Sequence, residues 1–291
     1  MTPHRKILDY VAAAALGCAA LAISSRTHAV FARAHTNSVP AVIFWAWERP
    51  EDLRFLDSQR AGVAFLAKTI YLPPRDSNPE ATPARIVVRP RLQPLLTAPG
   101  TALIAVVRIE TPSTKRSAFP SAVPHITSEI RETIADEIAS LQNIPSIRAI
   151  QIDFDASTSQ HNFYSALLQD VRGKLRPDIS LSITALASWC IGDPWLAQLP
   201  AGTIDEAVPM LFRMGPDTAN VAKFLNSGEN FRVAACQNAL GVSTDEPISL
   251  QLLTRRFPGM PANWREKRIY VFAPRAWTPS AADSVLQEWK Q

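Results

Sequence analysis

Short apolar runs rich in β-branched residues, separated by amphipathic stretches, constrain the fold of this 291-residue chain more than any other feature. Such alternation is the pattern of a parallel sheet covered by helices. The candidate strands are Ala41–Trp47, Val63–Tyr71, one of Ile86–Arg91 and Leu103–Ile109, Arg148–Asp155, Ile179–Leu186, Ala207–Phe212, Phe231–Cys236 and Arg268–Ala273. Helical periodicity is clearest over Ile126–Leu141, Asn162–Leu175, Asp217–Asn226 and Ser280–Trp289; in the second, Phe163, Leu167, Val171 and Leu175 line one face. Eight strands close a (β/α)8 barrel, an architecture that commonly takes about 250 residues. An open doubly wound sheet is the alternative if fewer of these runs are strands. The proline-rich stretch Pro73–Pro99 lacks helical periodicity, so irregularity is expected around the second and third barrel strands.

The N-terminal region reads differently. Arg5 and Lys6 precede an apolar run from Tyr10 to Ile23, the layout of a secretory signal peptide. Residues 1–29 are read as that leader, 30–40 as a linker and 41–291 as one barrel domain, which implies a periplasmic or extracellular protein. Cleavage fits after Ala29 or Ala34. An uncleaved anchor is the alternative, although about fourteen apolar residues are short for a bilayer. Only that alternative makes the membrane a partner.

Charge narrows the partners further. The chain holds 30 Lys and Arg against 26 Asp and Glu, and removing Arg5, Lys6, Arg26 and Asp9 with the leader leaves 27 against 25. No basic block with interleaved aromatics remains to suggest nucleic acid. Past the leader the cysteines are Cys190 and Cys236, which an oxidising compartment permits to pair; two buried thiols are the other reading. Without nearby histidines they make a poor metal site. There is no glycine-rich phosphate loop, no Gly-x-Ser-x-Gly elbow and no His-Glu-x-x-His motif, so neither metal nor cofactor is expected.

The segment Ile150-Gln151-Ile152-Asp153-Phe154-Asp155-Ala156 carries the strongest chemical signal. Strand side chains alternate, which puts Ile150, Ile152 and Phe154 on one face and Gln151, Asp153 and Asp155 on the other. In a barrel the polar face points inward, and carboxylates at a strand's C-terminal end meet the mouth where barrel enzymes hold their sites. Neighbouring carboxylates raise one another's proton affinity, which is what general-acid catalysis near neutral pH requires. The bland reading is that they accept bonds from loop amides or that Asp155 caps the next helix.

Ile152-Asp153-Phe154-Asp155 resembles the end of the Asp-x-Asp-x-Glu signature on the fourth strand of chitinase-like glycoside hydrolases. The resemblance implies a polysaccharide or oligosaccharide substrate, with Asp155 at the catalytic acid's position, Asp153 orienting it and Gln151 where the first aspartate stands. Val208-Pro209-Met210-Leu211-Phe212 resembles the sixth-strand segment of such barrels, and Val271–Trp277 ends in a tryptophan as their last strand often does. Aspartate is one methylene shorter than glutamate, a retraction on the order of 1 Å that can cost about a hundredfold in rate. Glu110, which shares a strand face with Arg108, is the substitute acid; the alternative is a surface ion pair. Phe44-Trp45-Ala46-Trp47-Glu48-Arg49, Gln151–Ala156 and Leu181–Leu186 resemble a bacterial family known only as domain of unknown function 3142, a likeness expected to run through nearly all of the mature chain.

Sugar binding needs flat apolar faces and a few placed polar groups. Trp45, Trp47, Trp189, Trp195 and Trp277 fall at or just past candidate strand ends, and Arg108, Arg213 and Gln237 are candidate polar contacts. For each tryptophan, packing under a loop is the competing role. A carbohydrate-binding envelope protein without catalysis is the alternative function.

Overall fold

The computed structural model describes residues 39–73, 85–111, 126–258 and 260–290, within one unit, Val39–Gln291. The expected leader, most of the linker and residues 74–84 of the proline-rich stretch lie outside the described residues. The strands are β1 (Val42–Ala46), β2 (Glu51–Leu53), β3 (Ala61–Tyr71), β4 (Val87–Pro90), β5 (Leu95–Thr97), β6 (Leu103–Glu110), β7 (Ile147–Asp153), β8 (Ser180–Leu186), β9 (Glu206–Met210), β10 (Ala239–Ser243) and β11 (Arg268–Phe272). The helices are α1 (Ser128–Ala139), α2 (His161–Lys174), α3 (Ala187–Ile191), α4 (Pro194–Ala197), α5 (Thr218–Asn226), α6 (Pro247–Leu253) and α7 (Pro279–Lys290).

Strand β1 decides the architecture, because it pairs in parallel with both β11 and β3. The ring β1-β3-β6-β7-β8-β9-β10-β11 therefore closes, and every pairing in it is parallel. This is the expected (β/α)8 barrel. The irregularity falls where the prolines placed it: β4 runs antiparallel on the far end of β3, and β5 pairs with β2 outside the ring. Of the two alternatives for the third barrel strand, Leu103–Glu110 is the member.

Alternation along each strand sorts the apolar side chains into two cores. Ile43, Trp45, Ala64, Leu66, Ile104, Val106, Ala149, Val208 and Tyr270 fill the interior. Phe44, Val63, Ala105, Ile150, Ile152, Leu181, Leu240 and Val271 face outward and are covered by α1, α2, α6 and α7 through Ile134, Leu167, Leu252 and Leu286. All four expected helices form within one or two residues of their expected bounds.

One strand differs from the sequence expectation. Phe231–Cys236 is not a strand; Ala234–Gln237 forms a 3-10 turn, and the ring strand is Ala239–Ser243. Alanine, glycine and serine are poor strand formers, so Ala239-Leu240-Gly241-Val242-Ser243 gave a weak signal. Its glycine suits close packing: a Cβ at Gly241 would stand 3.1 Å from the Trp45 ring and 3.2 Å from the Pro209 carbonyl oxygen, so its neighbours would have to give by a few tenths of an ångström. Phe231 is buried instead by stacking on Phe224 and Trp264. The segment is further fixed by a disulfide between Cys236 and Cys190 of α3.

That disulfide closes a loop 46 residues apart in sequence, for which chain-entropy reasoning gives a stabilisation of about 4 kcal/mol. Reduction, or Cys190→Ser with Cys236→Ser, is expected to lower the urea midpoint by a corresponding amount with the secondary structure retained. An unchanged midpoint would show that the bridge does not constrain the unfolded chain.

Candidate functional site

The candidate site is built upward from β7. Gln151, buried in the barrel interior, accepts from Trp45 Nε1 at 2.9 Å and donates to Ser182 Oγ at 3.2 Å. It thereby fixes the Trp45 indole across the barrel and has no free group for a ligand. Two residues on, Asp153 ends the strand and accepts from Thr184 Oγ1 at 2.6 Å. The chain then leaves the sheet, and Asp155 stands exposed at the mouth. Helix capping there belongs to Ser157, which forms a reciprocal capping box with Gln160, and Asp155 makes no hydrogen bond among the described residues. The helix-cap reading of Asp155 is thus not realised.

Burial is the main cause that pushes the Asp153 carboxyl up to about 6; the Thr184 hydroxyl opposes it, and the charge of Asp155 adds to it. Burial also raises Asp155, against the pull of Arg108. Arg108 lies beside Asp153 in the β6–β7 register, within 3.0 Å of Glu110 and over the Trp47 ring at 5.9 Å. Behind the pair, on α2, the buried Tyr164 hydroxyl has no hydrogen-bond partner among the described residues, and burial together with the two aspartates drives its pKa upward.

Above these residues opens a cavity of about 280 Å³. Asp153, Asp155 and Thr184 line it with Arg108, Trp45 and Trp47, and Met210, Phe212, Arg213 and Phe272 complete the wall. Phe212 and Phe272 stack at 5.7 Å with rings nearly parallel, 5° apart. The loop that carries Trp47 is pinned from outside. Arg91 donates to the carbonyls of Ala46, Trp47 and Arg49, and Arg49 pairs with buried Glu51 at 2.6 Å.

Several sequence candidates lie elsewhere. Glu110 is held by Arg108 and does not line the cavity. Trp277 is buried behind β1, edge-on to Phe44, and donates to the Trp45 carbonyl at 3.0 Å. Trp189 packs in the helical layer against His161 and Trp195. Gln237 precedes β10, at the end of the barrel opposite the mouth, and its amide donates to the Phe231 carbonyl; the misplaced strand had put it at the mouth. Thr184, Phe212 and Phe272 were missed. The first was findable, because Ser182 and Thr184 alternate inward on β8 as Gln151 and Asp153 do on β7. Phenylalanines carry no such signal.

Residues 99–212 match the family model of a domain of unknown function, DUF3142. The match runs from just before β6 to Phe212, shorter than the near-complete likeness expected, and includes Arg108, Asp153, Asp155 and Thr184. No curated protein matches the chain. Among solved structures, the chain is similar to a family GH18 chitinase from Chromobacterium violaceum (10% identity, 88% of this chain and 86% of that one, TM-score 0.48). It is also similar to an endo-beta-N-acetylglucosaminidase from Cordyceps militaris (9%, 91% and 95%, 0.46). A third is the chitinase domain of the spore coat protein CotE from Clostridium difficile (14%, 80% and 64%, 0.37).

Asp153 makes the fold pH-dependent. A carboxyl raised to about 6 in the folded chain favours folding while protonated, and that contribution is lost as pH rises from about 4 through 6. Relative to Asp153→Asn, the wild type should lose at most roughly 3 kcal/mol between about pH 4 and pH 7. Removing the opposing hydroxyl with Thr184→Val should move the Asp153 carbon-detected NMR titration to higher pH. A midpoint at the ordinary value in the wild type would refute the assignment.

Proposed function

We propose that this protein is a glycoside-hydrolase-like barrel that acts on a polysaccharide through Asp153 and Asp155 at the C-terminal end of β7. The observation that carries this reading is a pair of carboxyls two residues apart, both with raised proton affinity, lining an aromatic-walled cavity in the barrel mouth. Trp45, Trp47, Phe212 and Phe272 supply flat faces for sugar rings. Both carboxyls hold their proton to higher pH than an ordinary aspartate, and Asp155 is the exposed member.

Asp155 protonates the leaving glycosidic oxygen as the bond to the anomeric carbon breaks, and Asp153, held by Thr184, orients it. Because Glu110 is engaged by Arg108, the nucleophile on this reading is an acetamido carbonyl oxygen of the substrate. Water then attacks the anomeric carbon, breaking its bond to the acetamido oxygen and giving a proton to the Asp155 carboxylate. The Cys190–Cys236 disulfide and the apolar N-terminal run together support an exported, periplasmic or extracellular, protein.

The displacement of Glu110 from the cavity favours one other reading, an envelope protein that grips glycans without cleaving them. Asp155→Asn separates the two. On the catalytic reading it lowers turnover of an oligosaccharide substrate at least about a hundredfold with the melting temperature preserved. Undiminished turnover overturns the assignment, and glycan retention with no product from the wild type supports the gripping protein. Trp47→Ala should weaken binding in either case.

A further inference from the structure

Two guanidinium groups reach the cavity, and they are differently placed. Arg108 is neutralised by Glu110 at 3.0 Å. Arg213, exposed at the rim after β9, forms no ion pair among the described residues, and its guanidinium lies 4.8 Å over the Phe272 ring. Its backbone is held in the left-handed region, φ 51°, a conformation that is uncommon for a residue with a side chain. Both carboxylate oxygens of Glu246 accept from the Arg213 backbone N–H, at 2.9 and 3.0 Å, so this acid clamps the main chain rather than neutralising the guanidinium. Asp217 lines the same cavity and is not paired with Arg213. Phe272 ends β11, four strands around the eight-stranded ring from β7 and so across the mouth from Asp153.

We propose that the glycan taken by this site is acidic, and that Arg213 binds its anionic group, a uronate carboxylate or a sulfate ester, on the Phe272 wall. The proposal rests on the carbohydrate reading above and adds the substrate class. A planar guanidinium fork lying over an aromatic face presents parallel N–H groups that meet an anionic group bidentately. A ligand spanning the cavity then presents a neutral glycosidic oxygen to Asp155 and its charge to the opposite wall, away from the carboxylates.

The full chain and Arg213→Met are tested on an array of matched neutral, uronate-bearing and sulfated glycans. The wild type is expected to bind one or both acidic sets at least about tenfold better than the neutral parents, a preference that weakens as salt is raised. Arg213→Met should abolish the preference, and Arg213→Lys, which keeps the charge without the fork, should retain part of it. A melt of each variant reports on folding. Retention of uronates alone or of sulfates alone identifies the group. If the wild type binds neutral glycans as well as acidic ones, or Arg213→Met keeps the preference, the acidic assignment fails while the carbohydrate reading stands. If the wild type retains no glycan, both fail.

Discussion

The double pairing of β1 is the constraint on which the rest depends. Once β1 bonds to β3 and β11, no edge of the ring remains to be covered, and the eight strands enclose a volume that their own side chains must fill. Trp45 is the largest of these fillers. It lies 5.4 Å from the Tyr270 ring, and Gly241 lacks the side chain that would crowd it. The larger polar side chains inside the ring are paired: Gln151 with Trp45 and Ser182, and Glu206 with Tyr270 at 2.7 Å and with Arg268.

That rule changes at the mouth, where solvent reaches the top layer. Among the described residues Asp153 has one hydroxyl donor and Asp155 no hydrogen bond, so burial raises the proton affinity of both, against the Thr184 hydroxyl at Asp153 and the charge of Arg108 at each. Gln151 and Glu206, lower in the barrel, are each held by two partners, whereas the two carboxyls at the mouth have fewer.

Rigidity around the cavity comes from outside the ring. Arg91 caps the carbonyls that follow β1, while Arg49 and the Trp277 backbone N–H converge on buried Glu51, so the loop bearing Trp47 is tied to the segment after β11. Ordering a loose loop on binding any ligand would cost affinity, and this loop is already fixed. Trp277 contributes to the site by anchoring the Trp45 carbonyl.

The sequence alone determined the alternation of strands and helices, because period 2 and the helical period are local properties set by residues a few positions apart. It also determined that Asp153 points inward near a strand end. It could not place Ala239–Ser243, a run of weak strand residues in which Gly241 packs tightly against Trp45, nearly two hundred positions away. Nor could it separate Trp45 and Trp47 at the cavity from Trp189 and Trp277 behind the sheet, or Arg213, unpaired over Phe272, from Arg108 beside Glu110. Those distinctions depend on which strands lie opposite one another once the ring closes. Closure is a relation among distant segments, and only the tertiary structure decided it.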